Sequence, residues 1–440
     1  MTLLSRLIPA TLTLLLFALP VRAAVDIQTV TSPGGITAWL VQEEKLPFTA
    51  LEIRFRGGSS LDPAGKEGAV NLMTALIEEG SGDMDAQAFA AARDGLAASF
   101  GFSSDIDTVA VSAQFLTENR DQAVALLRQA ITVPRFDPDA IERVRGQVLA
   151  GLRSDEKDPG SIANRLLRQQ AFAGHPYAEN GDGRLDTVPG LTRDDLMAAH
   201  KATLTRDRVY VAAAGDISAE ELGTLLDTLL GDLPATGPAL PPEIAPALTG
   251  GITVEAFPGP QSVVLFGHSG IKRDDPDFFA ATILNEVLGG GRFSSRLMSE
   301  VREKRGLTYG IGTSLVGYDR SELVMGQAAV ANDRVAEAVE VIRTEWARIA
   351  RDGITEAELA ATKTYLTGAY PLRFDGNGPL AQIMVNMQLI GLPADYPKTR
   401  NDKVNAVTIE DVKRVAATLF RADDLRFVIV GEPVGVTGTN

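Results

Sequence analysis

The chain has 440 residues, 45% hydrophobic and 22% charged, enough for more than one globular core and without low-complexity tracts. Its formal net charge of −15 argues against nucleic acid or an anionic membrane as a partner, since both need a basic footprint. With no cysteine, a disulfide framework, thiol chemistry and thiolate metal ligands are excluded.

Arg6 precedes an apolar run from Leu7 to Pro20, and Val21-Arg22-Ala23 then places small residues at −3 and −1 of a cleavage site. The run falls short of the roughly 20 apolar residues of a membrane span. Residues 1–23 therefore read as a signal peptide cleaved after Ala23. The expected mature protein is exported, periplasmic in a Gram-negative host, and has no membrane attachment after cleavage.

Further along, Ala50–Phe55 and Ser262–Gly267 read as strands that precede long helices, and Thr108–Phe115 alternates as another strand. An internal repeat organises these elements. Leu191-Thr192-Arg193-Asp194-Asp195-Leu196 followed by Val209–Asp216 has a counterpart in Val407-Thr408-Ile409-Glu410-Asp411-Val412 followed by Arg426–Glu432. Each copy reads as an N-capped helix leading into a buried strand that ends in Gly plus an acid. Between the copies, the proline-rich stretch from Leu233 to Gly251 reads as a semi-rigid linker. The predicted fold class is α+β, with an N-terminal domain over 24–232, a linker over 233–251 and a homologous C-terminal domain over 252–440. The halves are expected to clasp a cleft whose opening the linker limits.

In the second half, Gly289-Gly290-Gly291 lacks the Lys and Ser/Thr of a phosphate loop and reads as a turn. Ser294 or Ser295 is placed to N-cap a short helix with Leu297, Met298 and Val301 facing inward, ended by Gly306. A strand follows, so Arg302 in the last turn and Tyr309 near the strand start converge on one place. On the residues alone, Arg302 reads as a solvated charge and Tyr309 as a strand aromatic with its hydroxyl satisfied. Gly310 and Gly312 leave the backbone open to an added peptide strand, or else mark a weakened strand at a bend. The three histidines, His175, His200 and His268, share no i, i+4 spacing and read as structural.

The run from Leu288 to Tyr309 closely resembles the C-terminal half of the pitrilysin/insulinase zinc peptidases, and at pattern level the resemblance covers residues 27–436. It implies a mitochondrial-processing-peptidase/LuxS-like metallohydrolase fold. It also implies that Arg302 and Tyr309 match the family's Arg/Tyr pair, which reaches the scissile region of a peptide substrate. The family's His-x-x-Glu-His motif would fall on the helix Gly68–Leu76, where Asn71, Thr74 and Ala75 stand in place of His, Glu and His. The downstream carboxylate ligand would fall at Ala150. The resemblance therefore implies no metal and no cofactor in this chain and no peptidase activity of the chain alone. It implies instead the non-catalytic, substrate-binding subunit of a heterodimer, with the zinc in a homologous partner subunit. A structural or assembly protein and a stand-alone peptide-binding protein are the competing readings.

Overall fold

The computed structural model describes residues 26–439, so the expected signal segment lies outside the described residues. The first half contains strands β1 (Gln28–Thr31), β2 (Thr37–Gln42), β3 (Phe48–Arg56), the short ribbon β4 (Gly80–Ser81) and β5 (Met84–Asp85), β6 (Ser99–Ser104), β7 (Thr108–Leu116) and β8 (Val209–Gly215). Six of them form a sheet in the order β1-β2-β8-β3-β7-β6. The second half contributes β9 (Gly251–Ala256), β10 (Gln261–Ser269), β11 (Thr308–Gly317), β12 (Glu322–Ala331) and β13 (Arg426–Gly431), ordered β11-β12-β10-β13-β9. Both sheets share one plan. A parallel pair, β2 with β8 or β9 with β13, is followed by three antiparallel neighbours. Helices cover both sheets, and the α+β class is the one the sequence predicts.

The repeated helix–strand unit carries the same local devices in both copies. Thr192 and Asp195 form a reciprocal capping box at the start of helix Arg193–Thr203, and Thr408 and Asp411 do so at Ile409–Leu419. Glycine ends β8 for a steric reason. Gly215 has φ +133°, and a Cβ there would lie 2.2 Å from the Phe48 carbonyl oxygen.

Each strand of the parallel pair serves two cores, because successive side chains point to opposite faces. In β8, Val211 and Ala213 face the helices of their own half, while Ala212 and Ala214 face the other way. In β13, Phe427 and Ile429 face home, and Val428 and Val430 face away. The outward faces are covered reciprocally. Helix Asn377–Leu389 of the second half lays Leu380, Ala381, Met384 and Val385 on Trp39, Ala50, Ala212 and Ala214. Helix Pro159–Ala171 of the first half lays Ile162, Ala163 and Leu167 on Leu265, Val428 and Val430. Equivalent glutamines pin each helix: Gln388 Nε2 donates to the Val211 carbonyl at 2.7 Å, and Gln170 Oε1 accepts from Arg426 Nε at 2.8 Å.

The turn between β6 and β7 meets the turn between β11 and β12. The Asp319 N–H donates to Asp107 Oδ2 at 2.9 Å, the Tyr177 hydroxyl bonds Asp107, and Arg56 pairs with Asp319 at 3.2 Å. Burial holds the Asp107 carboxyl above its ordinary range.

This arrangement corrects the role expected of the linker. The linker is fastened along both halves: Arg206 N–H to Pro234 O at 2.9 Å, His175 Nε2 to Pro242 O at 3.1 Å, Ile244 N–H to Arg320 O at 2.9 Å and Ala247 N–H to Ala171 O at 2.8 Å. The exchanged helices set how the halves sit, and the linker follows.

Leu167→Ala and Met384→Ala each delete a buried side chain at this junction and are predicted to destabilise the fold by about 2–5 kcal/mol. Because the cores are shared, urea unfolding of either variant is expected to remain one cooperative transition. Two resolved transitions would show that the halves are independent.

Candidate functional site

The helix Ala69–Ala75 begins at Gly68, where the Asp62 carboxylate accepts from the Gly68 N–H at 2.8 Å and the Val70 N–H at 2.9 Å. Burial beside the helix start pushes the Asp62 carboxyl up to about 7. On this helix the Asn71 amide reaches only the Asp182 carbonyl oxygen, at 3.5 Å. Thr74 is buried, and its hydroxyl donates back to the Val70 carbonyl at 2.8 Å. Ala75 and Ala150 present exposed methyl groups, the latter on helix Pro138–Asp155, which packs against the first. Zinc requires several imidazole, thiolate or carboxylate donors converging on one point. An amide, a hydroxyl turned into its own helix and two methyls do not fit that ion. Among the described residues, no group of three His, Asp or Glu side chains gathers as a metal site.

The three histidines are structural. His175 Nδ1 accepts from the Tyr177 N–H at 3.2 Å, which leaves Nε2 to donate to Pro242 O. His268 Nε2 accepts from Trp346 Nε1 at 3.1 Å, and His200 Nε2 bonds Ile131 O at 2.8 Å. Burial lowers all three pKa values and favours the neutral rings.

In the second half the chain builds a platform rather than a metal cage. Residues Met298–Glu303 form a π-helical turn with Leu297, Met298 and Val301 buried beneath it. Ser295 holds the expected cap position, its carbonyl accepting the Ser299 N–H at 3.0 Å, but its hydroxyl makes no capping bond among the described residues. The turn closes where Gly306, at φ +62°, donates its N–H to Arg302 O at 2.9 Å. An ion pair anchors its entrance, with Arg296 Nε and Nη2 each donating to Glu358 at 2.8 Å. Glu358 also accepts from the Thr355 N–H at 2.7 Å at the start of helix Glu356–Ala369. Although burial opposes its charge, these donors hold the Glu358 carboxyl down at about 2.

Arg302 and Tyr309 stand on this platform. Lys304 and Arg305 both pair with Glu300, at 2.6 and 2.7 Å. Arg302 instead lies over the Phe293 ring, 4.8 Å from its centroid. Tyr309 is 88% exposed rather than buried in the sheet. A bulge in β11 explains this, because three steps from Thr308 to Ile311 are matched by only two from Val330 to Ala328 on β12. Thr308 holds the bulge, with its hydroxyl 2.7 Å from Ala329 O and accepting the Gly310 N–H at 3.2 Å. Among the described residues, neither the Arg302 guanidinium nor the Tyr309 hydroxyl has a hydrogen-bonding or ionic partner.

Gly310 and Gly312 lie on β11, an edge strand, and a Cβ at Gly310 would meet nothing within 4 Å. One residue further on the edge is closed. The Thr313 N–H donates to Gly289 O at 2.8 Å, and its carbonyl accepts from Asn285 Nδ2 at 3.3 Å. The π-turn, the bulge, Phe293 and the Arg296–Glu358 anchor are the parts of the site that sequence reasoning missed. Of these only Phe293, an aromatic stranded in a glycine-rich loop, left a visible signal.

The Glu358 carboxyl lies below its ordinary 4.5, so its stabilising contribution is complete above about pH 4.5 and is lost as pH falls toward 2. Glu358→Gln is predicted to cost about 2 kcal/mol at neutral pH. It should also flatten the loss of stability between pH 5 and pH 3 seen by urea unfolding. Parallel pH profiles for wild type and variant would contradict the anchor.

The model of the insulinase (peptidase family M16) domain matches residues 39–180, and that of the peptidase M16 inactive domain matches residues 190–366. The chain is 26% identical over 390 residues to the non-peptidase homolog YmxG of Helicobacter pylori, covering 88% of this chain and 89% of that protein. It is 27% identical over 402 residues to an uncharacterized zinc protease of Mycobacterium leprae, covering 89% and 88%. The crystal structure of a peptidase M16 inactive domain from Pseudomonas fluorescens superposes with a TM-score of 0.87 at 29% identity, covering 94% of this chain and all of that one. The chain belongs to the insulinase family, peptidase family M16.

Proposed function

We propose that this chain is the non-catalytic, substrate-binding subunit of a heterodimeric zinc peptidase and lends Arg302 and Tyr309 to the active site of a zinc-bearing homologous partner. One observation carries the reading. The positions that the resemblance aligns with the metal motif carry no ligands, yet two hydrogen-bond donors stand unpartnered among the described residues, on a built platform beside an open strand edge.

When bound in the partner, zinc supplies a Lewis acid and an activated water. This chain's part is to hold and polarise. A peptide laid along Gly310–Gly312 presents a carbonyl oxygen to the guanidinium of Arg302 and the phenol of Tyr309. Both donate to that oxygen as it gains negative charge. For Arg302 the exchange is favourable. The contact with Phe293 is worth about 0.5–1 kcal/mol at an exposed site, whereas a hydrogen bond to a charged oxygen is worth about 1.5–3 kcal/mol. The ring therefore parks the side chain until substrate arrives. A purely structural subunit needs neither donor. The periplasm remains the proposed location, on the strength of the N-terminal segment alone.

Arg302→Ala and Tyr309→Phe are each predicted to lower turnover of the reconstituted pair by about 10²–10³. Complex mass, measured on the same samples, should be unchanged because neither side chain is buried in a core. Full activity in the double variant would leave the scaffold reading ahead.

A further inference from the structure

A second site lies further along β11, at Thr313–Leu315. A cavity of about 550 Å³ opens between helix Phe278–Leu288, strand β11 and helix Asn377–Leu389, and Arg273, Arg373 and Arg400 line it. Arg273 stacks on Phe278, 4.1 Å from the ring centroid, and reaches the Tyr396 hydroxyl. Arg400 lies 4.4 Å from the Tyr370 centroid and donates to Leu366 O at 2.8 Å. Arg373 is exposed. None of the three has a carboxylate partner among the described residues, whereas the adjacent Lys272 pairs with Glu243 at 2.7 Å. Burial holds the Arg400 guanidinium below its ordinary range, and the charges of Arg373 and Arg273 push the same way. Three convergent, uncompensated guanidiniums in a chain of net charge −15 favour an anion.

The rest of the lining narrows the anion's identity. Asn285 and Thr313 are 7% and 6% exposed, and Asn285 Oδ1 and Thr313 Oγ1 have no hydrogen-bond partner. Glu286 is the cavity's single carboxylate. An inorganic anion would satisfy the arginines and leave the Asn285 acceptor bare, which is costly in a buried position. The end of a peptide satisfies both, with its carboxylate on the guanidiniums and its last N–H groups on Asn285 and Thr313. We infer that this cavity binds the C-terminal carboxylate of an extended peptide. The inference rests on the reading that the chain holds peptides, and it gives that substrate a defined end.

The test is fluorescence anisotropy of the purified chain with one labelled ten-residue peptide in three forms: free acid, C-terminal amide, and amide with an acidic side chain added near the end. The free acid is expected to bind about 10-fold or more tightly than the plain amide, the value of one charge-assisted hydrogen bond. Arg373→Gln, at an exposed position that leaves the core intact, should abolish that difference, and Arg273→Gln should do the same. Equal binding of free acid and plain amide overturns the cavity assignment while leaving peptide binding standing. Tight binding of the acidic amide overturns the assignment to a terminus. If no form binds, to the chain or to the reconstituted pair, the peptide-holding reading itself falls.

Discussion

Each sheet of this molecule has an apolar outer face that its own half does not cover, and the helix that covers it comes from the other half. β8 and β13 make the constraint visible, since alternate residues of each belong to different cores. Burying the four residues Ala212, Ala214, Val428 and Val430 requires both exchanged helices at once. Neither half is therefore a complete globule, and their relative placement is as fixed as core packing can make it. The site inherits that rigidity. Helix Asn377–Leu389, which closes the first sheet, also walls the arginine-lined cavity of the second half.

The two faces of the chain have diverged within a common plan. At the first-half helix, Asp62 holds the helix start and the Thr74 hydroxyl turns back onto its own helix, so this surface offers packing and no converging ligands. At the second-half platform, the Arg296–Glu358 pair, the π-turn and the Thr308 bracket hold two donors in an exposed setting. Stability does not account for that arrangement. An 88% exposed tyrosine buries almost nothing, and a guanidinium over an exposed ring contributes little. Such strained or irregular backbone is commonly kept at functional sites.

Much of the plan was legible in the sequence, because it follows from short-range rules. The capping boxes at Thr192 and Thr408 and the glycine endings at Gly215 and Gly431 are all local statements. The exchange of helices was not legible. Ile162 and Leu380 look like ordinary core positions of their own half, and only the three-dimensional pairing shows which sheet they cover. The linker misled for the same reason, since its hydrogen bonds go to Arg206, Ala171 and Arg320, which are near in space but not all in sequence. Tyr309 reads as buried by alternation. A single extra residue in β11 reverses the facing of the chain there, and nothing in Thr308-Tyr309-Gly310 announces a bulge.

Under the proposed function, this chain is half of an active site. The most direct measurement is a titration of the purified chain into a zinc-bearing family member from the same cell, following peptide hydrolysis and zinc content together. The account predicts negligible hydrolysis by either protein alone and activity that rises to saturation at equal molar amounts, with zinc only in the partner. Full activity of the partner by itself, unchanged on adding this chain, would contradict it.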